Sequence, residues 1–392
     1  MGNGKCPSCY SRRISIFYEK RQVPAHSVLL FPSRDEAINY VRGDIVLGFC
    51  QKCGFISNVA FNPELHEYSE RYEETQGFSP TFNAFSKKLA GKLIEKYHLR
   101  NRDILEIGCG KGEFLTLLCQ MGHNRGVGFD PAYVSERHKS DLKDGVRFIK
   151  DFYSEKYSHY KADFICCKMT LEHIYETAEF VRMVRSSIEN RLDTVVFFQI
   201  PEVTRILKDC AFEDIYYEHC SYFSPGSLGR LFRRCGFHVM ALETDYDGQY
   251  LMIDGIPNNG TPSPPLPEED DFRQLSVLVE RFPKKLEKKT LKWKTLIKKI
   301  YADGKRAVLW GSGSKAVSFL TTLDIHDEIE FVVDINPYRR GTYMAGTGHE
   351  IVAPEFLKQY RPHLVIIMNA VYKDEISGDL AKMGLNPEIL SL

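Results

Sequence analysis

The chain lacks a net charge: its 392 residues carry 52 Lys+Arg against 52 Asp+Glu. Nothing global therefore points to nucleic acid or an anionic membrane as a partner. It has no run of 18 apolar residues, so no transmembrane helix is expected. The opening MGNGKCPSC has no apolar core of a signal peptide, and Cys at position six does not fit a myristoylation pattern. With 11 cysteines, an odd number, the expectation is reduced thiols and metal ligands rather than a disulfide framework. The cytoplasm is the expected compartment. The oligomeric state stays open, with a monomer compatible.

The chain also lacks the G-x-G-x-x-G of a dinucleotide fold where one would look for it. What stands between Asp103 and Asp130 is DILEIGCGKGEFL, then GVGFD. An apolar strand runs into a glycine turn (Gly108, Gly110, Gly112) and a helix, and a second strand ends on an acid. Such glycines let backbone approach a ligand closely, and the acid about 20 residues on suits ribose hydroxyls. Glu106 ahead of the first glycine makes the pattern E-x-G-C-G-x-G. That pattern resembles motif I of class I S-adenosylmethionine (SAM) methyltransferases. The bland alternative is an ordinary βα turn.

Three blocks follow from length and pattern. Residues 1–70 hold two cysteine pairs and β-like runs. Residues 71–268 alternate strand and helix, with strands at 104–107, 126–129, 163–167 and 194–199, which implies a parallel sheet covered on both faces. The stretch GIPNNGTPSPPLPEEDD reads as a linker. Residues 269–392 open with an amphipathic helix, about 271–300, and continue as α/β with a second glycine turn, WGSGSKAVSFL, and a strand ending on Asp334. The lysines from 284 to 294 form that helix's solvated face; binding nucleic acid through them is the rival reading.

Cys6-x-x-Cys9 and Cys50-x-x-Cys53 are two knuckles able to give zinc four thiolates, a closed and structural site. Two unrelated cysteine pairs are the alternative. The remaining cysteines read as packing residues. The segment FEDIYYEHCSYFSPGSL brings Tyr216, Tyr217, Glu218 and His219 ahead of a helix with Ser224 as N-cap and Pro225 at its first position. Glu218 and His219 are candidate bases, and Tyr216 a base or a donor to an enolate oxygen. Aromatic packing and capping explain the same residues. His173, in LEHI after the third strand, stands where many methyltransferases place a residue near the cofactor methyl; core packing is the alternative.

The order CxxC…CxxCG, motif I, YYEHCSYFS, WGSGSKAVSFL and FVVDINPYRRGTYMAGT…IVAPE resembles the three-domain sugar C-methyltransferases that act on nucleotide-linked keto-deoxysugars. The resemblance covers nearly the whole chain. It implies a zinc-binding N-terminal domain, a Rossmann-like class I SAM domain and a C-terminal Rossmann-like α/β domain. It implies zinc on Cys6, Cys9, Cys50 and Cys53. It implies SAM beside Glu106, Gly108, Gly110 and His173, with Asp130 on the ribose and Asp151 near the adenine. It puts acid/base work on Tyr216, Glu218 and His219, with Tyr72 (rival: Tyr68) from the segment after the first domain. The nucleotide-sugar would lie between the middle and last domains at Gly311–Lys315. Two departures stand out. Tyr217 replaces the family's first histidine, and DYDGQYLMID (245–254) stands where the family has a glycine-rich segment. Gly311, Gly313 and Asp334 also admit a degenerate NAD site. The alternatives kept are O- or N-methylation of another metabolite, and a zinc-bearing assembly protein with a relict SAM site.

Overall fold

The computed structural model describes residues 4–66, 68–137, 145–258, 260 and 263–392. The first three residues, and 259, 261 and 262 of the expected linker, lie outside them. Among the described residues, three sheets organise the chain.

The middle sheet has seven strands. Asp103–Ile107, Arg125–Phe129, Val146–Ile149, Phe164–Lys168 and Val195–Pro201 run parallel. The hairpin Phe237–Asp245 and Tyr250–Pro257 closes one edge, its second strand antiparallel to Val195–Pro201. The four strands read from sequence are present. Val146–Ile149 and the hairpin are additions, and they complete the strand order of a doubly wound sheet. The parallel strands are apolar because helices cover both faces. Helix Pro80–Tyr97 starts on Ser79, which caps the Phe82 N–H, and stops at left-handed His98. Helix Pro225–Arg234 starts as expected on Ser224, in a capping box with Ser227.

The N-terminal sheet is antiparallel: Ile14–Pro24, Arg42–Cys50 and Ile56–Asn58. Its fourth strand is Ser221–Tyr222, lent by the middle block. The last sheet has five parallel strands, with Ala307–Trp310 at its centre between Phe331–Val333 and Leu364–Ile367. Helix Phe272–Ala302 joins the blocks. Its first half puts Leu275, Val279 and Phe282 into the N-terminal core. Its second half puts Ile297 and Ile300 into the C-terminal core. Pro283 sits between the halves, where it removes one i→i−4 hydrogen bond.

Candidate active site

The Gly108–Gly112 turn is tied to the end of the neighbouring strand, where Gly108 N and Cys109 N donate to Phe129 O. Gly108 and Gly110 have φ of +69° and +54°. A Cβ on Gly108 would sit 2.0 Å from Thr170 Oγ1, and one on Gly110 2.6 Å from Glu74 Oε1. Conformation and space both demand glycine. Asp130 ends the next strand and organises the turn: its carboxylate accepts from Gly110 N at 2.8 Å and Ala132 N at 2.7 Å. Lys111, buried, donates to the carbonyls of Ala132 and Tyr72, both at 2.8 Å, and so ties the segment after the first domain to the turn. Glu106 is buried below the glycines, and burial pushes it up to about 7. Asp151 is held low by Lys156 and Tyr157 and lines the same space.

That space is a cavity of about 880 Å³. Glu106, Gly108, Gly110, Asp130, Asp151 and His173 all line it. Tyr216, His219 and Tyr72 line it too, as does Tyr68, whose ring centre is 5.3 Å from that of Tyr72. Gly311, Gly313, Ser314 and Lys315 close it from the C-terminal domain. The structure thus gathers the expected residues from three blocks, with one exception.

The exception is Glu218, which is absent from the cavity lining and 1% exposed. Its carboxylate accepts from Ser27 N (2.9 Å) and Ser27 Oγ (2.8 Å) and lies 3.3 Å from His26 Nδ1. Burial alone would raise it, but His26 and the Ser27 N–H outweigh burial and bring it down to about 2. Ser27 Oγ is also 2.7 Å from Ser314 Oγ, so Glu218 ties the first domain to the last. Tyr217 is likewise turned away. Its hydroxyl accepts from Asn62 N and donates to Asn62 O, and its ring fills the N-terminal core. The substituted histidine position therefore does not face the cavity.

His219 Nε2 is 2.8 Å from the Tyr216 hydroxyl. Burial pushes His219 down to about 3 and holds Tyr216 well above its ordinary value. The phenol stays protonated and donates, and the imidazole stays neutral and accepts. His173 packs edge-on to His219, ring centres 4.9 Å apart. Gln249 and Tyr250, from the segment that departs from the sugar enzymes, also face the cavity. Gln249 pairs its amide with that of Asn369 and accepts from Lys315, which also bonds Asp214 at 3.0 Å. Glu172 is a lining residue that sequence reading missed. Its signal was its place beside His173, in a turn that presents consecutive side chains to one space.

The C-terminal turn repeats the middle one in outline. Ser312 N and Asn336 N donate to Asp334, both at 2.8 Å, as Gly110 and Ala132 do to Asp130. Away from the cavity, Cys6, Cys9, Cys50 and Cys53 are buried, with their sulfurs within 4.8 Å of one another. Cys6–Cys53 and Cys9–Cys50 sulfurs are 3.7 and 3.6 Å apart. That is far beyond a disulfide bond and close to the edge of a tetrahedron with ~2.3 Å metal–sulfur bonds. The donor set fits zinc.

Residues 81–242 match the family model of a methyltransferase domain, and 268–386 that of the C-methyltransferase C-terminal domain. The chain is 26% identical over 313 residues to C-methyltransferase NovU of Streptomyces niveus, spanning 74% of this chain and 72% of that protein. Magnesium protoporphyrin IX methyltransferase of Synechocystis PCC 6803, with bound SAH, aligns over 45% of this chain and 84% of its own at 12% identity and a TM-score of 0.36. The N,N-8-amino-8-demethyl-D-riboflavin dimethyltransferase of Streptomyces davawensis aligns over 45% and 56% at 15% identity and a TM-score of 0.38. The doubly wound sheet, the glycine turn with Asp130 and the family models define a SAM-dependent methyltransferase. The C-terminal match and the NovU relative support a C-methyltransferase family.

Proposed function

We propose that this enzyme methylates a carbon of a nucleotide-linked keto-sugar, with zinc as a structural ion on Cys6, Cys9, Cys50 and Cys53. One observation carries the reading. A single cavity joins the SAM turn, the Tyr216–His219 pair and the glycine turn of the C-terminal domain. Its volume exceeds what SAM alone needs, and its lining carries Lys315, paired with Asp214, and Arg339, bonded to the Ser312 carbonyl, beside Gly313, whose backbone is open to close approach, a set that suits a phosphate group.

Bound SAM supplies a methyl already activated by its sulfonium, the electrophile for an enolate carbon. The chain's own residues make that carbon nucleophilic. Neutral His219 takes a proton from the carbon beside the keto group: the C–H bond breaks, an N–H bond forms on Nε2, and the electron pair passes into the enolate. For this the Tyr216 hydroxyl turns from His219 to the substrate's carbonyl oxygen, which frees Nε2 and leaves the phenol as donor to the enolate oxygen as it forms. Tyr72 and Tyr68 line the same cavity, and His173 packs edge-on to His219. Glu218 acts through position: it holds Ser27 and, through Ser27, Ser314.

The test is a panel of nucleotide-sugars, keto and reduced, with SAM. The expected result is gain of one methyl by a keto-sugar, located on carbon by NMR. A methyl on oxygen or nitrogen, or acceptance of reduced sugars alone, would replace this reading with the O- or N-methyltransferase one.

A further inference from the structure

One carboxyl group beside the Tyr216–His219 pair has no part in the chemistry above. Glu172 lies in the turn Leu171–His173 that follows the strand Phe164–Lys168. Its backbone is fixed, since its carbonyl accepts from Cys220 N at 2.9 Å. Its side chain is 1% exposed and lines the cavity, and neither carboxyl oxygen has a hydrogen-bond partner on another residue. His219 Nε2 is 4.0 Å from Oε1, too far for a hydrogen bond. The titratable groups around it are Cys167 on the preceding strand, His173 on its own turn, Tyr216, His219 and Cys220 on the opposing segment, and Tyr68 and Tyr250 across the cavity. None of these is a lysine or arginine.

A carboxylate left unpaired in such a place would bear a large desolvation cost, whereas a carboxylic acid keeps one O–H to give. Burial pushes Glu172 up to about 8, against one backbone hydrogen bond that lowers it. Glu172 therefore holds its proton near neutral pH, while His219 beside it presents an unprotonated Nε2. Two neighbouring groups in opposite states are what acid–base division of labour requires.

We propose that Glu172 is a catalytic residue whose carboxyl O–H donates a hydrogen bond to the substrate's carbonyl oxygen as His219 removes the adjacent proton. This rests on the carbon-methylation reading. The C–H proton goes to His219 Nε2, the pair enters the new C=C bond, and the carbonyl pair moves onto oxygen. There it meets two donors, Tyr216 and Glu172, both of which lie beside His219 Nε2. No proton leaves Glu172, and no co-reactant is needed.

The experiment compares wild type, Glu172→Gln and Glu172→Leu with the keto-sugar nucleotide that gains a methyl in the panel. It measures kcat against pH, SAM affinity and Tm. Glutamine keeps an N–H donor; leucine keeps none. Leucine should lower kcat by roughly 10²–10³-fold with SAM affinity and Tm retained, and glutamine should restore most of that loss. Wild-type kcat should fall as pH rises past about 8, where the proton is lost, and that limb should vanish in Glu172→Gln. Glu74 and Glu106 also stand near 7, so disappearance of the limb in this variant is the specific sign. If the leucine variant does not fold, the pH profile of the glutamine variant decides. Full kcat in Glu172→Leu, equal impairment of both variants, or an unchanged limb in Glu172→Gln would each overturn the proposal. A wild type that methylates oxygen, or no keto-sugar at all, overturns the carbon-methylation reading itself, and this proposal with it.

Discussion

At the scale of residues, Asp130 should prove the anchor of cofactor binding. It holds Gly110 N and Ala132 N, so Asp130→Ala removes the support of the turn and, on the proposed reading, the partner of the cofactor's ribose. SAM affinity should fall by about 1.5–3 kcal/mol, and calorimetry giving wild-type affinity in a folded variant would refute the placement. Glu218 and His219 adjoin in sequence but should behave differently. His219→Ala should cut turnover by roughly 10²–10⁴-fold and leave SAM affinity nearly unchanged. Glu218→Gln should act first on stability. Its folded value of about 2 lies below the ordinary carboxylate value, so its contribution is present above pH ~4.5 and lost as pH falls toward 2. Two to three pKa units correspond to roughly 3 kcal/mol at neutral pH. Thermal melts from pH 7 to 3 check this: the glutamine variant should start lower and lose less on acidification. The glycines and Asp130 were legible because their spacing is local and their backbone demands are specific. The role of Glu218 was not, because its partners His26 and Ser27 lie in the first domain and no local pattern links them.

At the scale of elements, the two cysteine knuckles and the helix Pro225–Arg234 form one unit. Arg230 donates to Cys53 O at 3.0 Å and Arg234 to Ser8 O at 2.8 Å. The fourth strand of the same sheet, Ser221–Tyr222, begins two residues after His219. Cys50→Ser, or zinc removal by a strong chelator, should therefore lower Tm first and activity with it, since metal binding is coupled to local folding. Elemental analysis should give about one zinc per chain, and well-folded protein without zinc or iron would remove the site. The knuckles, the Ser224 cap and the long helix were readable from spacing and periodicity. The hairpin Phe237–Asp245 and Tyr250–Pro257 was not. Its turn puts Tyr246 and Asp247 at positive φ, a conformation that composition signals only through the Asp247-Gly248 pair. That turn delivers Gln249 to the cavity, where the chain departs from the sugar enzymes it resembles.

At the scale of the molecule, the cavity belongs to no single domain. Glu73 shows the interlock: it accepts from Arg137 and Asn336, and its carbonyl from Arg339. The alternation of strands and helices made two α/β units legible. The lending of Ser221–Tyr222 to the first sheet and the sharing of one helix between two cores were not, since both are pairings between segments distant in sequence. The enclosed site also shapes the pH response. Burial holds Glu74 and Glu106 near 7 and Glu172 near 8, above their ordinary values. Their contribution is whole below pH ~4.5 and is lost as pH rises through 7 to 8. His66 and His219, pushed down to about 4 and 3, oppose folding as pH falls below ~6.5. The Tm of the cofactor-free protein should therefore decline from pH 6.5 to 8.5, and less steeply in Glu106→Gln; a flat or rising curve would contradict these assignments.

The central claim is that the cavity makes a carbanion for SAM to methylate, and hydrogen exchange tests it without SAM. Wild-type enzyme, the accepted keto-sugar nucleotide and deuterated water should place deuterium, seen by NMR, on the carbon that is later methylated, and His219→Ala should not. Methyl transfer to a carbon that never exchanges, or exchange undiminished in His219→Ala, would contradict the account.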